Sequence, residues 1–116
     1  MYFSDEELAC TCCGTLVFDD KFRDKLNQIR EQFGPMIISS GFRCPNHPLE
    51  VAKSRPGEHT TGQAVDVAVS HDRAHELLRI AFEEGIPRIG VQQKGNGRFI
   101  HLGVSPNYPG PTVWSY

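Results

Sequence analysis

Apolar residues recur with a helical period at two places in this chain. Phe22, Leu26, Ile29 and Phe33 follow one another at steps of four, three and four residues, the stripe of an amphipathic helix that starts after Asp19 or Asp20 and runs to about Gln32. Either aspartate can cap its start, and Gly34-Pro35 stops it. The second stripe, Ala74, Leu77, Leu78 and Ala81, predicts a helix from an N-cap at Ser70 to about Glu84, ended by Gly85. Elsewhere the apolar runs are short and β-prone. Met36-Ile37-Ile38-Ser39 and Ala64-Val65-Asp66-Val67-Ala68-Val69 read as strands. Two more, Ile89-Gly90-Val91-Gln92 and Phe99-Ile100-His101-Leu102-Gly103-Val104, flank the turn Lys94-Gly95-Asn96-Gly97. Residues 1–19 read as a short helical turn followed by an irregular segment. Residues 105–116 form a tail with three prolines and the only tryptophan, Trp114. Strands interspersed with two good helices predict an α+β fold with a small, mainly antiparallel sheet.

Between Phe42 and Gln63 the periodicity disappears, and prolines, glycines and polar residues take over. A structureless loop of roughly twenty residues is uncommon in a compact domain and is often functional. No repeat, low-complexity tract or linker divides the chain, so residues 1–116 are read as a single domain, expected to be a monomer. Hydrophobic residues at 39% and charged residues at 22% are ordinary globular values and argue against disorder. The net charge of −2 counts against a protein that lives on the phosphate backbone, so no nucleic-acid partner is expected. The longest aliphatic run, Met36-Ile37-Ile38, falls far short of the roughly 20 residues needed to span a bilayer, so no membrane insertion is expected. The acidic start, Met1 to Glu7, lacks the basic and apolar regions of a signal peptide. The product is therefore expected in the cytoplasm at synthesis.

Candidate chemistry begins at Asp66. A carboxylate in the middle of an apolar strand costs several kcal/mol if buried unpaired, so a cation, backbone donors or a metal must compensate it. His101 interrupts the last apolar strand in the same way, and His59 lies seven residues before Asp66 in the long loop. Two histidines and one aspartate in such settings suit a three-ligand zinc site with an open fourth position; a hydrogen-bonded core histidine is the plainer alternative. His71 and His75, at i and i+4, form a competing pair. Arg73 between them repels a cation, and a solvated helix face is the better reading. Cys10, Cys12, Cys13 and Cys44 lack the usual paired C-x-x-C spacing. They are left open as a structural metal site, a disulfide, or reduced thiols packed near the core.

The segment His59-Thr60-Thr61-Gly62-Gln63-Ala64-Val65-Asp66, followed by Phe99-Ile100-His101, resembles the zinc peptidases of the D-Ala-D-Ala carboxypeptidase superfamily, the M15-like peptidases. That superfamily includes phage endolysins and murein endopeptidases and shares its fold with the hedgehog signalling domain. Ser39-Ser40-Gly41-Phe42-Arg43 is similar to its Ser-Gly-Tyr-Arg segment. The opening Tyr2 to Gly14 and the closing Trp114-Ser115-Tyr116 resemble the short single-domain members of phages and prophages. The resemblance implies a hedgehog/DD-peptidase-like fold and one catalytic Zn2+ held by His59, Asp66 and His101, with a second, structural site open. It also implies Arg43 as a substrate-binding residue and peptidoglycan stem peptides as partners. The expected activity is a carboxypeptidase or endopeptidase cleavage, the protein reaching the wall after lysis or inside a virion.

Two positions depart from the family pattern. Gly57 stands where many relatives carry serine, and Arg98 stands where better-studied members carry a catalytic carboxylate. An arginine stays protonated and cannot act as general base. Glu58 and His47 are the remaining candidates for that role. Without a base, the alternative is a non-catalytic zinc-containing wall-binding or virion domain.

Overall fold

The computed structural model describes residues 2–116. A one-turn helix α1 (Asp5–Leu8) leads to helix α2 (Asp20–Phe33), strand β1 (Ile37–Ser40) and a second one-turn helix α3 (Pro48–Val51). A 3-10 turn (Glu58–Thr61) then precedes strand β2 (Ala64–Ala68), helix α4 (His71–Glu83) and strands β3 (Arg88–Gln92), β4 (Phe99–Gly103) and β5 (Thr112–Ser115). The strands lie in the order β1-β2-β4-β3-β5. Every neighbouring pair is antiparallel except β3 with β5, which is parallel. The architecture is α+β around a mixed, mainly antiparallel sheet.

Local chemistry accounts for the two long helices. Asp19 caps α2, its Oδ2 accepting the N–H of Phe22 at 2.8 Å. The predicted stripe of Phe22, Leu26, Ile29 and Phe33 is buried. On α4 the buried face is Ala74, Leu77, Ile80 and Ala81, with Leu78 only half-buried. Steps of three brought Ile80 inward where sequence pattern had favoured Leu78. Both helices pack on one face of the sheet, against Val65, Val67, Ile89, Ile100 and Leu102. Full burial of each such side chain contributes about 1.5–3 kcal/mol. None of these helices is long and apolar enough to cross a membrane.

Three expectations need correction. Strand β1 is set one residue later than Met36–Ser39. The segment from Phe42 to Gln63 is not structureless, since it holds α3 and the 3-10 turn. Pro48 opens α3 at a position that needs no N–H, and the His47 ring accepts from the N–H of Leu49 at 3.1 Å. The tail is also more ordered than its prolines suggested, because Thr112–Ser115 adds to the sheet edge alongside β3.

Candidate active site

Strand register builds the centre of the site. Asp66 on β2 lies directly opposite His101 on β4, and Gly90 on β3 lies opposite His101 from the other side. With a side-chain period of two, Val65, Val67, Ile100 and Leu102 point into the helix-covered core while Asp66 and His101 point the other way. One pair of strands therefore serves a core and a polar site at once. His59 enters from the 3-10 turn, its ring edge-on to that of His101 with centroids 5.0 Å apart.

Hydrogen bonds fix which nitrogen of each imidazole is free. His59 Nδ1 lies 2.8 Å from the Gly41 carbonyl, which can only accept, so Nδ1 carries the proton. His101 Nε2 lies 2.8 Å from Glu58 Oε1 and donates to that carboxylate. The remaining nitrogens, His59 Nε2 and His101 Nδ1, converge on Asp66 Oδ1 at 3.2 and 3.1 Å. With neutral rings, two lone pairs and a carboxylate oxygen face one another, and either a metal cation between them or a proton on an imidazole relieves the repulsion. Tetrahedral zinc with bonds of 2.0–2.1 Å separates its ligand atoms by about 3.3–3.4 Å. The donor set fits such an ion in both chemistry and spacing. Acidity follows the same geometry. Burial opposes a charged Asp66, but His101 and His59 hold its carboxyl well below the ordinary carboxylate range. Burial likewise works to lower the His101 imidazole, yet Asp66 and Glu58 raise it.

A second layer holds the first. Glu58 is buried and engaged at both oxygens: Oε1 takes His101 and Arg88 Nε (3.0 Å), and Oε2 takes the N–H of Ser105 (2.9 Å). A Cβ at position 103 would sit 2.2 Å from the Glu58 carboxylate, so glycine is what admits Glu58 to this place. Burial works to raise the Glu58 pKa, but the donors from His101, Ser105 and Arg88 bring it below its usual value. The Trp114 indole packs 5.1 Å from the His101 ring over Gly90, where a Cβ would meet it at 2.6 Å. Arg88 lies between the rings of Trp114 and Tyr108, and Tyr108 donates its hydroxyl to the Pro56 carbonyl at 2.7 Å.

Arg43 stands at the rim. Its Nε donates to Ser40 Oγ (3.0 Å), Nη1 to Glu50 Oε2 (3.1 Å), and Nη2 lies 3.6 Å from Asp66 Oδ2. Glu50, only 4% exposed, also accepts from the N–H of Gly57 (2.8 Å) and from Lys53 Nζ (2.9 Å). Burial works to raise its pKa, but Gly57, Lys53 and Arg43 bring it down to about 2. His59, Asp66 and His101 thus lie in a cleft of about 430 Å³ walled by Arg43, Tyr108, Trp114 and Tyr116.

The other sequence candidates fall in different places. Glu58 reaches the cleft but has no free oxygen. His47 caps α3, with Nε2 3.1 Å from Thr11 Oγ1, and does not line the cleft. Arg98 donates Nε to the Gly95 carbonyl at 2.8 Å and lies in a separate hollow beside His71. His71 and His75 are both exposed on α4. All four cysteines are free, and they meet in a cluster of their own. Glu50, Arg88 and Tyr108 were not foreseen as parts of the site, and Trp114 was noted as the single tryptophan and for the resemblance of the closing Trp114-Ser115-Tyr116, not as a part of the site. The alternation of Arg88, Gly90 and Gln92 with Ile89 and Val91 was a readable sign of a polar sheet face. Glu50 gave no such sign, because no period runs through its segment.

A family model described as Peptidase M15 matches residues 1–103. The match takes in the His-Asp-His group and all four cysteines and ends at the last residue of β4, leaving β5 and Trp114 outside it. Comparison with curated proteins gave no match.

Proposed function

Because the chain belongs to the Peptidase M15 family, we propose that it is a zinc-dependent metallopeptidase hydrolysing an amide bond in peptidoglycan stem peptides, as a D-Ala-D-Ala carboxypeptidase or an endolysin-type endopeptidase. The observation that carries this reading is the convergence of His59 Nε2, Asp66 Oδ1 and His101 Nδ1 on one point of the cleft. These three atoms would hold the ion. When bound, zinc supplies Lewis acidity toward the scissile carbonyl and lowers the pKa of a water molecule it holds.

The chain's own residues do the rest. The Gly41 carbonyl and Glu58 each take the outer N–H of one imidazole, which fixes tautomer and ring plane and leaves the inner nitrogen free. Arg43, steadied by Ser40 and Glu50, offers a guanidinium edge to a terminal carboxylate or to the carbonyl oxygen of a bound peptide. Trp114 and Tyr116 give the peptide an aromatic wall.

One observation favours the second reading, a zinc-containing wall-binding or virion domain that does not turn over its ligand. Among the residues lining the cleft the carboxylates are Glu58, which holds a donor on each oxygen, and Asp66, whose Oδ1 faces both imidazoles and whose Oδ2 lies 3.6 Å from Arg43 Nη2. A general base needs an acceptor within hydrogen-bond reach of the water it activates. The deciding experiment incubates the protein with a muropeptide ending in D-Ala-D-Ala and with cross-linked muropeptides. Product release that stops on chelation and returns with zinc supports the hydrolase. Peptide binding without turnover in zinc-loaded protein overturns it in favour of the second reading.

A further inference from the structure

A second convergence of metal-binding groups lies outside the cleft and supplies none of the groups proposed to act there. Cys10, Cys12 and Cys13 follow α1, and Cys44 follows β1, so two chain segments far apart in sequence meet through sulfur. All four Sγ atoms lie within 4.8 Å of one another, and Cys12 Sγ is 3.3 Å from both Cys10 Sγ and Cys44 Sγ. Four thiolates around zinc at about 2.3 Å stand roughly 3.8 Å apart, close to this spacing. Disulfides suit the cluster poorly. Cys44 alone comes from the second segment, so one bridge at most can join the two, leaving the others crowded within a four-residue stretch.

Charge makes the same demand. Four sulfurs this close cannot ionise together in the absence of a cation, and a divalent ion removes the conflict. The Cys44 N–H donating to Cys10 Sγ at 3.4 Å is the kind of outer-layer bond that orients a metal-bound thiolate.

The cluster also sits where a clamp would matter. The N–H of Phe42 donates to the Leu8 carbonyl at 2.8 Å, joining α1 to the segment after β1. Within that segment the Gly41 carbonyl holds His59, and the Arg43 N–H donates to the His59 carbonyl at 3.2 Å. Cys44 follows directly. We propose that Cys10, Cys12, Cys13 and Cys44 form a structural tetrathiolate site for zinc, separate from His59, Asp66 and His101, that pins the loop after α1 to residues 41–44 and so steadies Arg43 and His59 at the cleft.

Cobalt reports thiolate ligation directly, because a thiolate-to-cobalt charge-transfer absorption does not arise from imidazole and carboxylate ligands. The full chain, purified with reductant and loaded with Co2+, is expected to show this absorption. The double variant His59→Ala/His101→Ala should keep it together with about one metal equivalent, and Cys44→Ser should weaken it. Since Cys44→Ser can fail by misfolding, the wild-type protein carries the decisive reading: its four thiols should resist alkylation when zinc is present and react once a chelator removes it. A folded, cobalt-loaded wild type without the charge-transfer absorption overturns the site. So do thiols that alkylate equally fast with and without zinc. Neither outcome depends on peptide hydrolysis, so this site and the peptidase reading stand or fall separately.

Discussion

His101 and Leu102 are consecutive residues of β4 and almost equally enclosed, at 4% and 0% exposure, yet their surroundings have nothing in common. Leu102 points to the face covered by α2 and α4, where stability comes from apolar area removed from water. His101 points to the opposite face, among Asp66, Glu58 and Trp114. There burial is a cost, and each charged group persists because partners offset its lost hydration. Asp66 and its neighbour Val65 repeat the contrast on β2. A sheet with one apolar face can carry a second face that stabilises little, provided the first holds the strands in register. That division lets three buried ionisable groups be aimed at one point.

The sharpest way to break the comparison is to substitute the two neighbours separately. His101→Ala removes a proposed metal ligand, and with it several kcal/mol of charge stabilisation during hydrolysis. Turnover should fall by about 10³-fold or more, and metal content should drop in parallel. Leu102→Ala should instead lower unfolding free energy by about 2–5 kcal/mol in denaturant titration, while the folded fraction keeps its full metal content. Equal metal loss in both variants would remove the distinction between the faces.

Smaller effects are expected one layer out. Glu58→Gln weakens the bond that orients His101, and Gly103→Ala puts a Cβ where the Glu58 carboxylate lies. Each should lower zinc affinity about 10–100-fold in chelator competition without abolishing binding. Glu50 supplies a pH signature. Its folded pKa is depressed to about 2 from an ordinary 4.5, so its contribution is complete above pH 4.5 and lost as pH falls from there toward 2. Unfolding measured across that window should steepen in the wild type and flatten in Glu50→Gln. The smallest change belongs to the exposed helix face. His75→Ala should alter stability by no more than about 0.5 kcal/mol and leave metal content unchanged.

Much of this protein was legible in one dimension. The α2 stripe, the strands β1 to β4 and the anomaly of a carboxylate and an imidazole inside apolar runs are local patterns. A period of 3.6 or 2 states which side of an element must leave water, whatever it packs against. By those means the sequence determined that Asp66 and His101 face away from the core-forming positions beside them. It determined equally that something must compensate their burial.

Tertiary structure alone decided what compensates them. Asp66 meets His101 only through the β2–β4 register, and Glu58 reaches His101 because position 103 lacks a side chain. The Gly41 carbonyl selects the free nitrogen of His59 from eighteen residues away. Glu50 became the anchor of Arg43 in a segment without any period, and β5 formed in a proline-bearing tail because the edge of β3 offered it partners. Hydrogen-bond partners and close approaches depend on how distant segments are brought together. Periodicity records only the burial of each segment by itself, which is why the faces could be read along the chain and the contacts across them could not.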